Sequence, residues 1–415
     1  MTNPDWSRRD VLKTAATGAV AVGLGAKVVS WMDRYIVGVR DDDGATAAAS
    51  VSDVEPRKID LTEHTSLTLV AGAYSEARRK SLLAREDVVF VQRDRPLTHH
   101  ASTGTGTDTG DGDEPAGGQT LPWGIDRVDA TVAHDEGETG EGVDVGIIDG
   151  GIDDTHPDLA ENLADPETDG NHKAWVECEG DDCNYPWSDD GNHGTHVAGT
   201  VAAADGDSGV VGVAPEATLH ALKVCSAAGG CRTSHIAKAI RYAADQGWDV
   251  VNLSLGSPQK SPALKAAGQY ALRAGVLLVA SAGNRGEPDS VGYPAAYDEY
   301  LAVSATNIED EIADFSSTGP EVGLAAPGKG VCSAVIDGYD VNNGTSMAAP
   351  HVTGAAAQLM ANGYSNTEAR EQLLDTAENI GKSGDEQGEG LVDVAAALGY
   401  DSDDDGTGDG TSCPG

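Results

Sequence analysis

The chain has 415 residues, 39 % hydrophobic but only 5 % aromatic, which allows one large domain plus an accessory piece with a core of Val, Ala, Leu and Ile. Its formal net charge is −41; the first hundred residues hold 14 of the 68 acids and 14 of the 27 bases, so the whole excess falls on the remainder. Such a field excludes nucleic acid as a partner, and it repels itself unless screened, as it is near 1 M salt, where the Debye length is about 3 Å. The composition points to a protein adapted to high salt.

The first 30 residues read as a signal peptide. Paired arginines, Arg8 and Arg9, precede an apolar run from Ala15 to Ala26 that is too short and too rich in Gly and Ala to stay in a bilayer. The pair marks twin-arginine export, a route for proteins that are already folded. Residues 31–100 form a small, charge-balanced unit, with strands expected over 34–40 and 88–96 and a helix over 75–86. Residues 101–120 are rich in Gly, Thr and Asp, without apolar pattern, and read as a flexible linker.

From 121 to 398 strand-like and helix-like runs alternate. Strands are expected at 143–149, 218–224, 249–256, 276–284 and 301–306, and helices at 195–204, 234–247, 261–275 and 346–363. That alternation predicts an α/β domain around a mostly parallel central sheet flanked by helices. Residues 399–415 are acidic and read as a disordered tail. No other segment looks membrane-spanning. The six cysteines contain no Cys-x-x-Cys, which argues against zinc. Two close pairs, Cys178 with Cys183 and Cys225 with Cys231, suit short-loop disulfides in an oxidising compartment. Six cysteines allow 15 pairings.

Three segments carry chemistry. Asp149 ends a buried strand in "VGIIDGGIDDTHPDL", His193 starts a helix in "GNHGTHVAGT", and Ser346 starts another in "NGTSMAAPHV". Functional groups of α/β sheets gather at strand C-termini and helix N-termini. Serine is a weak nucleophile that needs a base, histidine exchanges a proton near neutral pH, and a carboxylate fixes the imidazole tautomer. The chain has no His-Glu-x-x-His run and no Gly-x-Ser-x-Gly elbow, which disfavours a zinc protease and an α/β-hydrolase. Each residue alone has a plain alternative: Ser346 as a helix cap, Asp149 as a turn residue, His193 as a satisfied polar histidine. His156, His196 and His351 are read as structural.

Taken together, these motifs closely resemble the subtilisin-like serine proteases, or subtilases, from about Pro122 to Leu398, and within them the halolysins of haloarchaea. The resemblance implies Ser346 as nucleophile, His193 as base and then acid, Asp149 as its orienter and Asn284, in "VASAGNRG", as an oxyanion donor beside the Ser346 N–H. Gly150 departs from the pattern, where most relatives carry Ser or Thr. Substrate contacts carry over to Ser254, Leu255 and Gly256 on one wall, Gly229 and Gly230 on the other, and Gly292 at the pocket floor, with Arg285 at its rim. A bond between Cys225 and Cys231 would stiffen the second wall.

The resemblance also implies structural calcium. Asp158 matches a ligand; Gly206 stands where a side-chain ligand is usual, so Asp205 and Asp207 are expected to substitute, with the carbonyls of Ala204, Ser208 and Val210. Asp181, Asp182, Asp189 and Asp190 are read as salt-adapted surface rather than a second ion site. Residues 31–100 resemble the family's propeptide, a folding chaperone and inhibitor removed by self-cleavage near His100 or later.

The expected protein is a secreted, monomeric endopeptidase made as an inactive precursor, acting on proteins and peptides, with no nucleic acid or membrane partner. Its rivals are an inactive binding protein and a peptide ligase of the same fold.

Overall fold

A computed structural model describes residues 34–99, 102–103, 118–168, 170–179, 183–227, 230–401 and 406–414. The signal peptide expected over 1–30 lies outside them. The chain divides into two compact units, one ending at Arg95 and one beginning at Pro96.

The first unit contains strand β1 (Arg34–Val39), helix α1 (Asp42–Ser50), strands β2 (Arg57–Asp60) and β3 (Thr68–Ala73), helix α2 (Glu76–Leu83) and strand β4 (Val88–Arg93). The strands form one antiparallel sheet in the order β2-β3-β1-β4. Side chains alternate along a strand, so Tyr35, Val37 and Val39 share one face; they pack with Ala45, Ala48, Val70, Tyr74 and Leu82. The helices begin where their caps dictate: the Asp41 carboxylate accepts the Gly44 N–H at 2.7 Å, and the Ser75 hydroxyl accepts that of Arg78. This is the small α+β unit expected, but it stops at Arg95.

The second unit opens with two short strands, β5 (Pro96–His99) and β6 (Ser102–Thr103), and two short helices, α3 (Trp123–Arg127) and α4 (Ala130–Asp135). Alternation follows: β7 (Asp144–Asp149), β8 (Lys173–Ala174), α5 (His193–Ala202), β9 (Thr218–Lys223), β10 (Cys231–Arg232), α6 (Thr233–Gln246), β11 (Val250–Leu253), β12 (Leu255–Gly256), α7 (Pro262–Ala274), β13 (Leu277–Ser281) and β14 (Leu301–Thr306). The chain ends with β15 (Val322–Pro327), the hairpin of β16 (Lys329–Val335) and β17 (Gly338–Asn343), α8 (Thr345–Ala361), α9 (Asn366–Asp375), α10 (Gly384–Gln387) and α11 (Val394–Leu398).

Seven strands make the parallel central sheet, in the order β15-β14-β13-β11-β7-β9-β8. Val250, Leu277, Val279, Leu301 and Val303 form one core cluster with Val352, Ala355, Ala356 and Leu359 of α8. Their alternates Val251, Leu278 and Ala280 are equally buried, as a sheet covered by helices on both faces requires. Small residues let the helices close in: a β-carbon at Gly354 would meet Val213 Cβ at 2.5 Å. All strands of the sheet run the same way, so β7, β11 and β13 present their C-terminal ends on one edge, where the site is built.

Three disulfides close: Cys178–Cys183, Cys225–Cys231 and Cys332–Cys413. The last corrects the expected disordered tail. Within 406–414, the Asp409 carboxylate accepts the Leu121 N–H at 2.7 Å and the Gly410 carbonyl accepts that of Trp123, so this part is fixed to the domain by covalent and polar ties. Most of the expected linker, 104–117, lies outside the described residues, but Ser102–Thr103 pairs with β17 as a strand.

Candidate active site

The sequence around His193 explains how two chain segments meet. Asn192 takes a left-handed conformation (φ 67°), which a short polar residue tolerates. Its Oδ1 accepts the Ile336 N–H at 3.2 Å. Gly194 follows because a β-carbon there would overlap the Gly151 carbonyl. The first turn of α5 thereby presses onto the end of β7, and His193 Nδ1 lies 2.9 and 3.0 Å from the two carboxylate oxygens of Asp149. Asp149 is fully buried, and Oδ1 also accepts the Gly150 N–H at 2.6 Å. Burial pushes its carboxyl up, but the neighbouring His193 and His99 and these hydrogen bonds outweigh it and hold it below the usual range. With Nδ1 committed to Asp149, Nε2 is the end of the imidazole left for chemistry; it is buried with no hydrogen-bond partner among the described residues.

Ser346 is the second residue of α8, whose cap position is Gly344, so its hydroxyl is not the helix cap. Its Oγ donates to the Ser254 carbonyl at 3.0 Å. The Ser346 carbonyl has lost its helical partner, because Pro350, four residues on, has no N–H. Ser254 Oγ donates to it instead, at 2.8 Å. Behind Ser254 a buried chain continues: Asn252 Nδ2 donates to Ser254 Oγ at 2.9 Å, and Thr353 Oγ1 donates to Asn252 Oδ1 at 3.0 Å. Sequence reasoning missed Asn252 and Thr353; the proline four residues after the serine was the signal that could have found the network.

Asn284 is locked to the same helix start. Its Oδ1 accepts the Thr345 N–H at 2.9 Å and the Thr345 hydroxyl at 3.0 Å, so the NH2 end is the amide's donor end, one residue from Ser346. His196 and His351 are, as expected, structural. Each bonds a backbone carbonyl, of Val331 and Met347, and burial pushes their pKa values down to about 3 and about 4.

Two walls flank the site. Leu255 and Gly256 of β12 pair with the extended strand β5. On the other wall Gly229 lies outside the described residues, Gly230 is left-handed (φ 102°), and pairing begins one residue later, at Cys231. Gly292 donates its N–H to the Ala282 carbonyl at 2.8 Å, and a β-carbon there would stand 3.3 Å from the Ser257 carbonyl. Arg285 is exposed and paired with Glu287 at 2.9 Å, which neutralises the rim charge expected there.

Beneath Asp149 lies a buried pair that corrects the surface reading of Asp189 and Asp190. Lys223, register partner of Asp149, is fully buried. Its ammonium bonds the Gly150 carbonyl and lies 2.7 Å from Asp190 Oδ1. Asp189 accepts the Thr195 N–H and hydroxyl and the Gly191 N–H; burial raises its pKa to about 6 against those bonds. Asp181 and Asp182 lie outside the described residues.

In the expected calcium loop, Asp158 Oδ2 accepts the Val210 N–H at 2.8 Å and Oδ1 the Tyr339 hydroxyl at 3.1 Å. Gly209 is left-handed (φ 83°), and a β-carbon there would run into the Asp158 carboxylate. The carbonyls of Ala204 and Val210 converge on the Gln119 side-chain amide, at 3.0 and 3.3 Å. Asp205, Asp207 and Ser208 are exposed, and the first two do not gather with Asp158 around one point. The two carbonyls therefore converge on Gln119, a residue the sequence reading missed, and Asp158 is tied to the same loop through the Val210 N–H.

The profile of the Subtilase family matches residues 140–393. The chain is a subtilase. It is 36 % identical over 358 residues to subtilisin E of Bacillus subtilis strain 168, covering 84 % of this chain and 86 % of that protein. Subtilisin Savinase of Lederbergia lenta is 44 % identical over 269 residues, 64 % of this chain and 94 % of its own. An alkaline protease of Shouchella clausii is 44 % identical over the same length, 67 % of its own chain. As a subtilase, the chain is a serine-type endopeptidase, and its substrates are proteins.

Proposed function

We propose that this subtilase is a secreted, salt-adapted endopeptidase that works through Asp149, His193 and Ser346 and processes its own precursor. The observation that carries the reading is the imidazole of His193, held through Nδ1 by a buried carboxylate with Nε2 uncommitted. This reading requires the Ser346 hydroxyl to leave the Ser254 carbonyl and reach that nitrogen. His193 takes the proton as Oγ adds to the peptide carbonyl and returns it to the leaving amine; Asp149 stabilises the imidazolium between the two steps. The Asn284 NH2 group and the Ser346 N–H, at the start of α8, receive the oxyanion.

Residues 34–93 are the candidate folding chaperone and inhibitor, and their nearly balanced charge, nine bases against ten acids, suits docking on an acidic enzyme. Export by the twin-arginine route suits a chain that folds in salt; no helix among the described residues is long and apolar enough to cross a membrane. Calcium, when bound, would be held by Asp158, the Ala204 and Val210 carbonyls and the Gln119 amide turned to present its oxygen, cross-linking the loop to the segment before α3. We take the enzyme to be a monomer.

Fluorophosphonate labelling tests the reading. Wild type is expected to gain one adduct on the peptide containing Ser346, and Ser346→Ala none. Asn284→Ala should still label but lose about 10²–10³-fold in kcat with KM little changed. A wild type that takes no label is a binding protein on a protease fold.

A further inference from the structure

The helix that carries His193 lacks a cap of its own. Asn192 stands at the cap position of α5, but its side chain accepts no N–H of the first turn, where a cap oxygen ordinarily takes that of the second or third residue. The acceptor comes from three residues earlier. One oxygen of Asp189 takes the Thr195 N–H at 3.0 Å and the Thr195 hydroxyl at 2.7 Å, and the other takes the Gly191 N–H at 2.8 Å. Asp189 is buried, so these bonds replace the water it has lost, and its negative charge faces the positive end of the helix. His193 lies inside the loop that the three bonds close.

The strand that carries Asp149 ends in two glycines. Gly151 is left-handed (φ 106°), and glycine leaves a backbone more freedom than any other residue. The restraint comes from outside the turn. The Lys223 ammonium donates to the Gly150 carbonyl and, at 2.7 Å, to Asp190 Oδ1. Asp190 Oδ2 in turn takes the Glu179 N–H at 2.9 Å. Asp189 and Asp190 are neighbours in the chain, yet they serve opposite members of the pair: one holds the helix start of His193, the other, through Lys223, the strand end of Asp149. Cross-ties join the two arms. The Asp153 N–H donates to Thr195 Oγ1 at 3.0 Å, and the Asp189 N–H to the Ile152 carbonyl at 3.1 Å. A β-carbon on Gly150 would stand 3.3 Å from Asp189 Oδ1, so the Asp189 carboxylate lies against the turn that follows Asp149.

We propose that Asp189 and Asp190 form a bracket that sets His193 against Asp149, and that both, with Lys223, are positioning residues for catalysis. This rests on the serine-protease reading above. Each acts through other residues: Asp189 fixes the imidazole through the first turn of α5, and Asp190 fixes the carboxylate through Lys223 and Gly150. Loosening the bracket shifts the imidazole relative to Ser346, and a misplacement of about 1 Å costs up to about 10²-fold in rate. The walls that bind substrate are untouched, so the loss falls on kcat and not on KM.

Three variants of the full-length chain, folded in concentrated KCl, test this. Asp189→Asn turns one carboxylate oxygen into an NH2 group, which no longer accepts from Gly191 or from Thr195. Asp190→Asn combined with Lys223→Met removes the ion pair without leaving a buried charge unpaired, so stability should change little. Thr195→Val, the mildest, keeps the N–H bond to Asp189 and loses the hydroxyl. Active sites are labelled to completion with fluorophosphonate, and kcat and KM on a peptide substrate are measured per labelled Ser346, alongside Tm. The expected kcat falls about tenfold in the first two variants and about threefold in Thr195→Val, with KM within about twofold of wild type and Tm of the Asp190–Lys223 variant close to it. Wild-type kcat per labelled site in any variant that folds, or a loss carried by KM, overturns the inference and leaves the protease standing. A wild type that takes no label takes down the two together.

Discussion

The cleft and the 204–210 loop were both found through short motifs, yet they are held in different ways. In the cleft, side chains hold side chains: Asp149 to His193, Thr345 to Asn284, and Thr353 through Asn252 to Ser254, nearly all buried. In the loop, backbone carbonyls meet the Gln119 amide, and the aspartates at 205 and 207 are exposed. The first kind of site is preorganised by the fold and should tolerate changes of salt. If the second takes up calcium as proposed, solution conditions should act there first.

Four changes sharpen the contrast, from the largest effect down. Asp149→Asn leaves the wrong imidazole tautomer free and should cut kcat by about 10⁴-fold with little change in Tm; a loss below tenfold would deny Asp149 its role. Lys223→Met leaves Asp190 buried without its cation and should cost roughly 3–5 kcal/mol of stability by denaturant titration. Unchanged stability would show that the pair is replaceable by packing. Calcium chelation should lower Tm by roughly 5–10 °C while leaving kcat at low temperature intact, and Gln119→Ala should shrink that shift. A calcium-independent Tm would put the loop in the same self-sufficient class as the cleft. Thr353→Val keeps shape but removes the donor to Asn252, and should cost about 1 kcal/mol; a companion fall in kcat would show that the network positions Ser346.

The central strands and long helices were legible because hydrophobic period and length agree there: expected and observed bounds of β7, β9, β14, α6 and α7 differ by about a residue. Strands β5 and β6 were not legible. "PLTH" has no alternation of its own, and its strand state comes from partners more than a hundred residues away. The Cys332–Cys413 bond spans 81 residues of sequence and leaves no local signal. Lys223 fell within the strand expected at 218–224 and drew no reading of its own; its ammonium meets Asp190, which sequence reasoning had assigned to the surface. The Asp149–His193 pair was legible because its residue types sit at the one edge of the sheet where such groups collect. The Ser346 cap reading failed because Gly344, two residues earlier, takes that position.

The central claim is that Ser346 is a working nucleophile in a precursor that processes itself. Its most direct test is the intact mass of wild type and Ser346→Ala folded side by side in concentrated KCl. The account predicts that wild type loses roughly its first hundred residues while Ser346→Ala stays whole. If both stay whole, or both are cut alike, self-processing by Ser346 is contradicted.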